Sequence, residues 1–170
     1  MNAIVYTSGT GYTAQYARLL SEQTGLPAHS LEEAGKSLPA NSEILYLGWL
    51  MAGSVQGFRK ARKRYRVRAV VGVGMGATGS QLDDVRKANA LPEDMPVFTV
   101  QGGFDMQRLR GIYRFMMKTM AGTLGKRLAT KADRTPDEDA MLDMLLHGGS
   151  HVSPENLSGV LGWYRTAQQG

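Results

Sequence analysis

Apolar and polar positions along the chain follow two periods that replace one another every ten to fifteen residues or so. Asn2 to Thr7 is a short apolar, β-branched run that stops at Ser8-Gly9-Thr10-Gly11, and behind it Tyr12, Tyr16, Leu19 and Leu20 recur at helical spacing up to Thr24-Gly25. This predicts a strand, a tight loop and a helix closed by glycine, the usual residue just past a helical C-terminus. Leu26 to Leu31 reads as a weaker second strand, and residues 32 to 38 as a short helix before Pro39. Glu43 to Leu50 is nearly continuous apolar sequence, as expected of a strand buried on both faces, until Gly53 and Gly57 break it.

The same rhythm continues. Phe58, Ala61 and Tyr65 fall at helical spacing with Arg59, Lys60, Lys63 and Arg64 on the outer face, a basic amphipathic helix over residues 58 to 66. Arg68 to Met75 is a fourth strand ended by Gly76-Ala77-Thr78-Gly79. Ser80 to Ala90 is a helix with Ser80 as N-cap and Asp83 in its first turn. Pro96 to Gln101 is a fifth strand closed by Gly102-Gly103. Strands alternating with helices predict an α/β fold with a parallel sheet covered on both faces. After Gly103 the pattern changes to a Met-rich helix (residues 107 to 121), a polar stretch from Gly122 to Pro136 and an acidic helix (137 to 146). A last helix over residues 154 to 168 has Ser153 as N-cap and Pro154 in its first turn.

Composition narrows the chemistry. With 170 residues, 42% apolar and 21% charged, the chain has the make-up of one soluble domain with a real core. The absence of cysteine excludes disulfides, zinc ribbons, iron–sulfur ligation and thiol nucleophiles. His147 and His151 flank Gly148-Gly149-Ser150 without a third ligand at suitable spacing, so no metal site is expected. No nucleophile elbow or motif-placed pair of carboxylates argues for hydrolysis, and no catalytic residue is assigned. No leader and no run of about 18 apolar residues is seen, which predicts a cytoplasmic protein.

The net charge of +5 is unevenly spread: residues 57 to 68 hold seven Lys/Arg and no acid, and residues 104 to 134 hold eight against two Asp. The remainder is acidic. Two basic islands on an acidic body are unlike a nucleic-acid binder, and no nucleic-acid partner is expected.

Thr7 to Thr13 carries the clearest chemistry. Glycines permit close backbone approach, the hydroxyls of Ser8, Thr10 and Thr13 can donate, and a helix N-terminus favours an anion. Without a Walker lysine or the third glycine of a dinucleotide fingerprint, a phosphomonoester fits best. The stretch Ile4 to Ala17 (IVYTSGTGYTAQYA) resembles the phosphate-binding loop of flavodoxins, FMN-binding electron carriers, with Ser8, Thr10, Gly11 and Thr13 on the family's positions and Gly9 and Tyr12 between them. Leu47 to Gly53 resembles the family loop that holds one face of the isoalloxazine. It implies Trp49 as stacking contact, Leu50, Met51 and Ala52 beside it, and a Gly53 carbonyl that reorients on reduction. Gly74 to Gly79, with Gly76, Ala77 and Thr78, resembles the opposing loop, and Gly102, Gly103 and Phe104 would line a ring edge. Tyr12 and Ala14 stand where flavodoxins commonly have Asn and Glu.

The resemblance implies a three-layer αβα sandwich with a five-stranded parallel sheet of order 2-1-3-4-5, formed by residues 1 to 170 as one domain with 104 to 150 as an inserted helical segment. It also implies FMN as cofactor, electron transfer as activity and a redox protein as partner. Residues 97 to 121, including Arg110-Gly-Ile-Tyr-Arg-Phe-Met-Met-Lys118, are similar to the flavodoxin-like protoporphyrinogen dehydrogenases that reduce menaquinone and associate with membranes. That implies the alternative of an FMN oxidoreductase with a quinone acceptor. A third reading is an interaction module of this fold without flavin. For the basic helix, the alternatives are an acidic redox partner, an anionic membrane met peripherally by Arg59, Lys60, Lys63 and Arg64, or a tetrapyrrole with propionates. Oligomeric state is left open.

Overall fold

A computed structural model describes residues 1–105 and 111–169. Five strands run parallel: β1 (Ala3–Thr7), β2 (Ala28–Ser30), β3 (Glu43–Met51), β5 (Arg66–Gly74) and β6 (Val97–Gln101), in spatial order β2-β1-β3-β5-β6. Counted without the short β4 (Ser54–Val55), which turns back antiparallel onto the end of β3, this is the order 2-1-3-4-5. The helices α1 (Tyr12–Thr24), α2 (Leu31–Ser37), α3 (Phe58–Arg64) and α4 (Leu82–Ala88) lie between strands. α5 (Gly111–Thr130), α6 (Pro136–His147) and α7 (Ser158–Gln169) follow β6, and β7 (Gly103–Phe104) pairs antiparallel with β8 (Gly149–Ser150).

Side chains alternate along each strand, and every second one goes to the opposite layer. Ile4, Leu45, Leu47, Ala69, Val71 and Val73 pack with Tyr16, Ala17 and Leu20 of α1 and Val160 of α7. Val5, Ile44, Tyr46 and Val70 pack on the other face with Ala34 of α2, Phe58 and Ala61 of α3 and Val85 of α4. The layers are therefore helix, sheet, helix, a flavodoxin-like sandwich. One irregularity interrupts the alternation: Ile44 pairs with Val67, but Leu45 pairs with Ala69. The extra residue, Arg68, keeps Val67 on the same face as Val70 and sends its own guanidinium to Glu43 at 2.9 Å.

The helix ends differ from the sequence expectation at three places. The residue capping α4 is Gln81, in left-handed conformation (φ 62°), while the Ser80 hydroxyl turns back to donate to the Ala77 carbonyl. The stretch from Gly122 does not begin as loop; α5 continues to Thr130, since Leu124 and Leu128 stand four residues apart and the second is buried. Ser153 does cap the last helical segment through Glu155 N–H, but its first turn, Pro154–Leu157, is 3₁₀. Residues 107 to 110 of the expected Met-rich helix lie outside the described residues. Among the described residues no helix is long and apolar enough to cross a membrane.

Two buried phenols join the layers at the ends of strands. Tyr16 donates to the Gln101 carbonyl and accepts from Asn156 Nδ2 at 2.7 Å. Tyr46 donates to the Gln56 carbonyl at 2.8 Å, which leaves the Thr7 hydroxyl, also at 2.8 Å, as donor to the Tyr46 oxygen. Gly57 (φ 81°) has no room for a side chain, because a Cβ there would stand 2.2 Å from both hydroxyl oxygens. Burial pushes the Tyr46 hydroxyl up to about 12 from 10.0, the Thr7 bond opposing this weakly, and burial also raises Tyr16.

A phenol raised in the folded state binds its proton more tightly there, so its contribution is complete below the unfolded value and is lost as pH climbs through the folded one. Between pH 10 and 12 the protein is expected to lose about 2 to 3 kcal/mol through Tyr46. Urea midpoints measured across that range should fall for the wild type and fall less steeply for Tyr46→Phe. At neutral pH the variant should be weaker by about 1 to 2 kcal/mol.

Candidate functional site

In a parallel sheet of this order the connections from β1 and β3 leave in opposite directions, and a crevice opens at their carboxyl ends. A cavity of about 220 Å³ lies there. The β1–α1 loop contributes Gly9 and Thr10, the end of β3 and its hairpin contribute Trp49, Leu50, Ala52 and Gly53, and the end of β5 contributes Val73, Gly74 and Met75. Gln81 and Gly103 complete the rim. Leu124 of α5 and Met141 of α6 close it, so the segment after β6 folds over the crevice.

The first loop is built around a helix N-terminus. Gly11 takes φ 99°, and Ser8 Oγ accepts from the amides of Gly11 at 3.1 Å and Ala14 at 3.3 Å. The Ser8 hydroxyl oxygen thereby satisfies two amides at the start of α1. Among the described residues the amides of Tyr12 and Thr13 donate to no group of the chain, as the first turn of a helix leaves them. Thr13 is 1% exposed and Tyr12 8%, the Tyr12 ring lying in the core beneath Gly103. Of the three hydroxyls, only that of Thr10 belongs to a residue lining the cavity. The indole of Trp49 rests on Gly9, where a Cβ would sit 3.4 Å from Cε2 and Nε1.

The β3–β4 hairpin turns on Ala52 (φ 48°) and Gly53 (φ 75°), with Met51 paired to Ser54. Positive φ at both central residues matches the twist of the strands. Leu50 folds back over Gly72 and Gly74, where a Cβ would come within 2.8 and 3.0 Å of its methyls. The Gly53 carbonyl does not face the cavity with a spare orientation. It accepts from Asn89 Nδ2 at 2.9 Å, and buried Asn89 also donates to the Val85 carbonyl and accepts from Val55 N–H. Turning that carbonyl round would break its part-buried hydrogen bond from Asn89 Nδ2, at a cost of about 1 to 3 kcal/mol.

The β5–α4 loop is bound to the end of β6. Thr78 Oγ1 accepts from Gln101 N–H at 3.0 Å, Gly79 N–H donates to the Thr99 carbonyl, and Thr99 Oγ1 donates to the Ser80 carbonyl. Gly76 is buried against Ser80, and Gly102 N–H donates to the Gly74 carbonyl at 2.7 Å. Gly76, Ala77, Thr78 and Gly102 therefore frame the crevice without lining it, as do Ser8, Gly11, Tyr12, Thr13 and Met51. Phe104 pairs through its backbone with Gly149; its side chain lies outside what the structure describes.

Val73, Gly74 and Met75 were within reach of sequence reasoning, being the last residues of a strand before a glycine loop. Gln81, Leu124 and Met141 carry no local signal, since their place depends on a left-handed turn and on how α5 and α6 pack together. Among the described residues that line it, none is an acid, a base or a histidine. The described lining residues offer backbone groups, one hydroxyl, one amide and apolar surface to a bound molecule.

Two stability measurements check this wall. Ala52→Gly should raise thermal stability, by about 1 kcal/mol, because an L side chain in the left-handed region is strained. Asn89→Ala should lower it by about 2 to 3 kcal/mol, through the Gly53, Val85 and Val55 groups left without their partner. Comparison with family models, with characterised proteins and with solved structures found no match to this chain.

Proposed function

We propose that this protein binds FMN non-covalently in the crevice and works in electron transfer. The observation that carries the reading is a cavity at the switch point of the sheet, between a glycine- and hydroxyl-bearing helix N-terminus and an indole. The residues fit the group. The amides of Tyr12 and Thr13 and the Thr10 hydroxyl would hold the phosphate, where the α1 dipole favours negative charge. Trp49 would offer an aromatic face to the ring, and Leu50, folded over Gly72 and Gly74, would add apolar contact. At about 220 Å³ the cavity is below the usual size for a whole ligand, about 300 Å³ or more, and suits a planar ring whose phosphate tail lies outside on the loop. Bound flavin would supply the redox chemistry; Leu124 and Met141 would keep water from it.

One observation favours a second reading. The roof formed by Leu124 and Met141 covers the crevice, and shielding a reacting centre from water is what an enzyme needs beyond a carrier, so an FMN oxidoreductase resembling the protoporphyrinogen dehydrogenases, with a quinone acceptor, is the alternative.

Titration of the purified protein with FMN should perturb the flavin absorbance bands, with weaker binding of riboflavin, which lacks the phosphate. Thr10→Val should weaken FMN by about tenfold, as loss of one hydrogen bond to a charged group does, and leave riboflavin unchanged. Trp49→Ala should weaken both. A flat titration with the wild type would reject flavin binding and leave the module without cofactor. Turnover of protoporphyrinogen with a menaquinone analogue by the loaded protein would select the enzyme over the carrier.

A further inference from the structure

We infer that the exposed face of α3 is the docking surface for an acidic protein, which on the electron-transfer reading above is the redox partner. The helix is short and entirely one-sided. Phe58 is 2% exposed and Ala61 fully buried, and the following Tyr65 is 4% exposed, so every apolar side chain of this segment already belongs to the core. Arg59, Lys60, Arg62, Lys63 and Arg64 are all exposed.

Two of these cations are held by the protein. The Arg62 guanidinium lies over the Phe58 ring at 5.8 Å, and Arg64 lies over Tyr65 at 5.7 Å and donates to the Gly35 carbonyl at 2.9 Å. The other three are different. Among the described residues Arg59, Lys60 and Lys63 have no ion pair or hydrogen bond through their side chains. At relative positions i, i+1 and i+4 they share one side of the helix. Arg59 and Lys60 also stand in the first turn, where no acid is present and the helix dipole disfavours positive charge. Lys63 stands in the last turn, where the dipole favours it, but self-repulsion among the three and the adverse dipole at Arg59 and Lys60 oppose local stability, which a partner that neutralises them explains.

The position of α3 links the patch to the crevice. Gly57, just before the helix, packs against Thr7 and Tyr46, and Thr7 runs directly into the Ser8–Gly11 loop. The hairpin of Ala52 and Gly53, which walls the cavity, leads into α3 through β4. A protein seated on the first turn of α3 therefore stands at the cavity's edge. An anionic membrane fits less well. Interfacial helices sink an apolar face below the headgroups, and α3 has none to offer. Charge complementarity without an inserted apolar anchor is the mode by which transient protein partners are steered together.

The probe is an acidic [2Fe–2S] ferredoxin of the plant type, titrated calorimetrically in its oxidised form into the full-length protein, both flavin-free and mixed with FMN. Saturable binding is expected, weakened about tenfold or more by Arg59→Glu with Lys60→Glu, and similarly by raised ionic strength. The double variant places acids in the first turn of α3, so it should melt no lower than the wild type, which separates lost docking from lost folding. Equal binding by wild type and variant, or no binding by either, would overturn the inference. Sedimentation of the wild type with phosphatidylserine vesicles, lost in the variant and unaccompanied by ferredoxin binding, would overturn it in favour of a membrane. Because docking is read without flavin, failure of FMN binding would reject the flavin reading alone.

Discussion

The pairing of β1 with β3, Ala3–Thr7 against Ile44–Gly48, is the contact on which the rest of the molecule depends. Its two strands are central and parallel, and each must send its chain back across the sheet before the next strand can pair. Because β1 returns on one side and β3 on the other, their carboxyl ends are left without a covering connection, and a crevice follows from the topology alone. Everything placed there is then supported by buried structure. Ile4 and Val5, neighbours in sequence, anchor opposite layers, and the Thr7–Tyr46–Gln56 hydrogen bonds fix the strand end from which the first loop departs.

Around this crevice the chain accepts strain where it brings backbone close to the cavity. Ala52 and Gln81 both take left-handed conformations that an L residue adopts at some cost, and both line the cavity. The wall is made rigid from behind. Asn89 satisfies the Gly53 carbonyl and the Val55 amide together, and the β5–α4 loop is bound to β6 by Thr78 and Thr99. Such a wall does not rearrange readily, which argues against the carbonyl reorientation expected from the flavodoxin resemblance.

Electrostatics divide the molecule in a different way. Glu138 is held below the ordinary carboxylate range by its bonds to Lys131 and Thr135, and Asp139 meets Arg134 at 2.6 Å, so part of the second basic island is neutralised by α6. Among the described residues the island over residues 57 to 68 has no comparable answer apart from that of Arg68, which is paired with Glu43. Of two runs that look similar in sequence, one has Lys131 and Arg134 tied to carboxylates of the neighbouring helix, and the other turns its cations outward.

The sequence by itself determined the layers and the place of the crevice. Apolar runs such as Glu43–Leu50, the glycines that end them and the helical spacing of Tyr12, Tyr16 and Leu20 are local features, and local periodicity is enough to specify a parallel α/β sheet. The loop Ser8–Thr13 was legible for the same reason. What each of its hydroxyls does was decided by the tertiary structure. Ser8 satisfies two amides at the start of α1, Thr13 is buried and Thr10 lines the cavity, although the three look equivalent in sequence. The roof is the clearest case. Leu124 and Met141 stand in a stretch that reads as polar and in an acidic helix, and they meet over the crevice only because α5 and α6 pack against each other. Contacts between residues far apart in the chain depend on the packing of whole elements, and no local pattern encodes them.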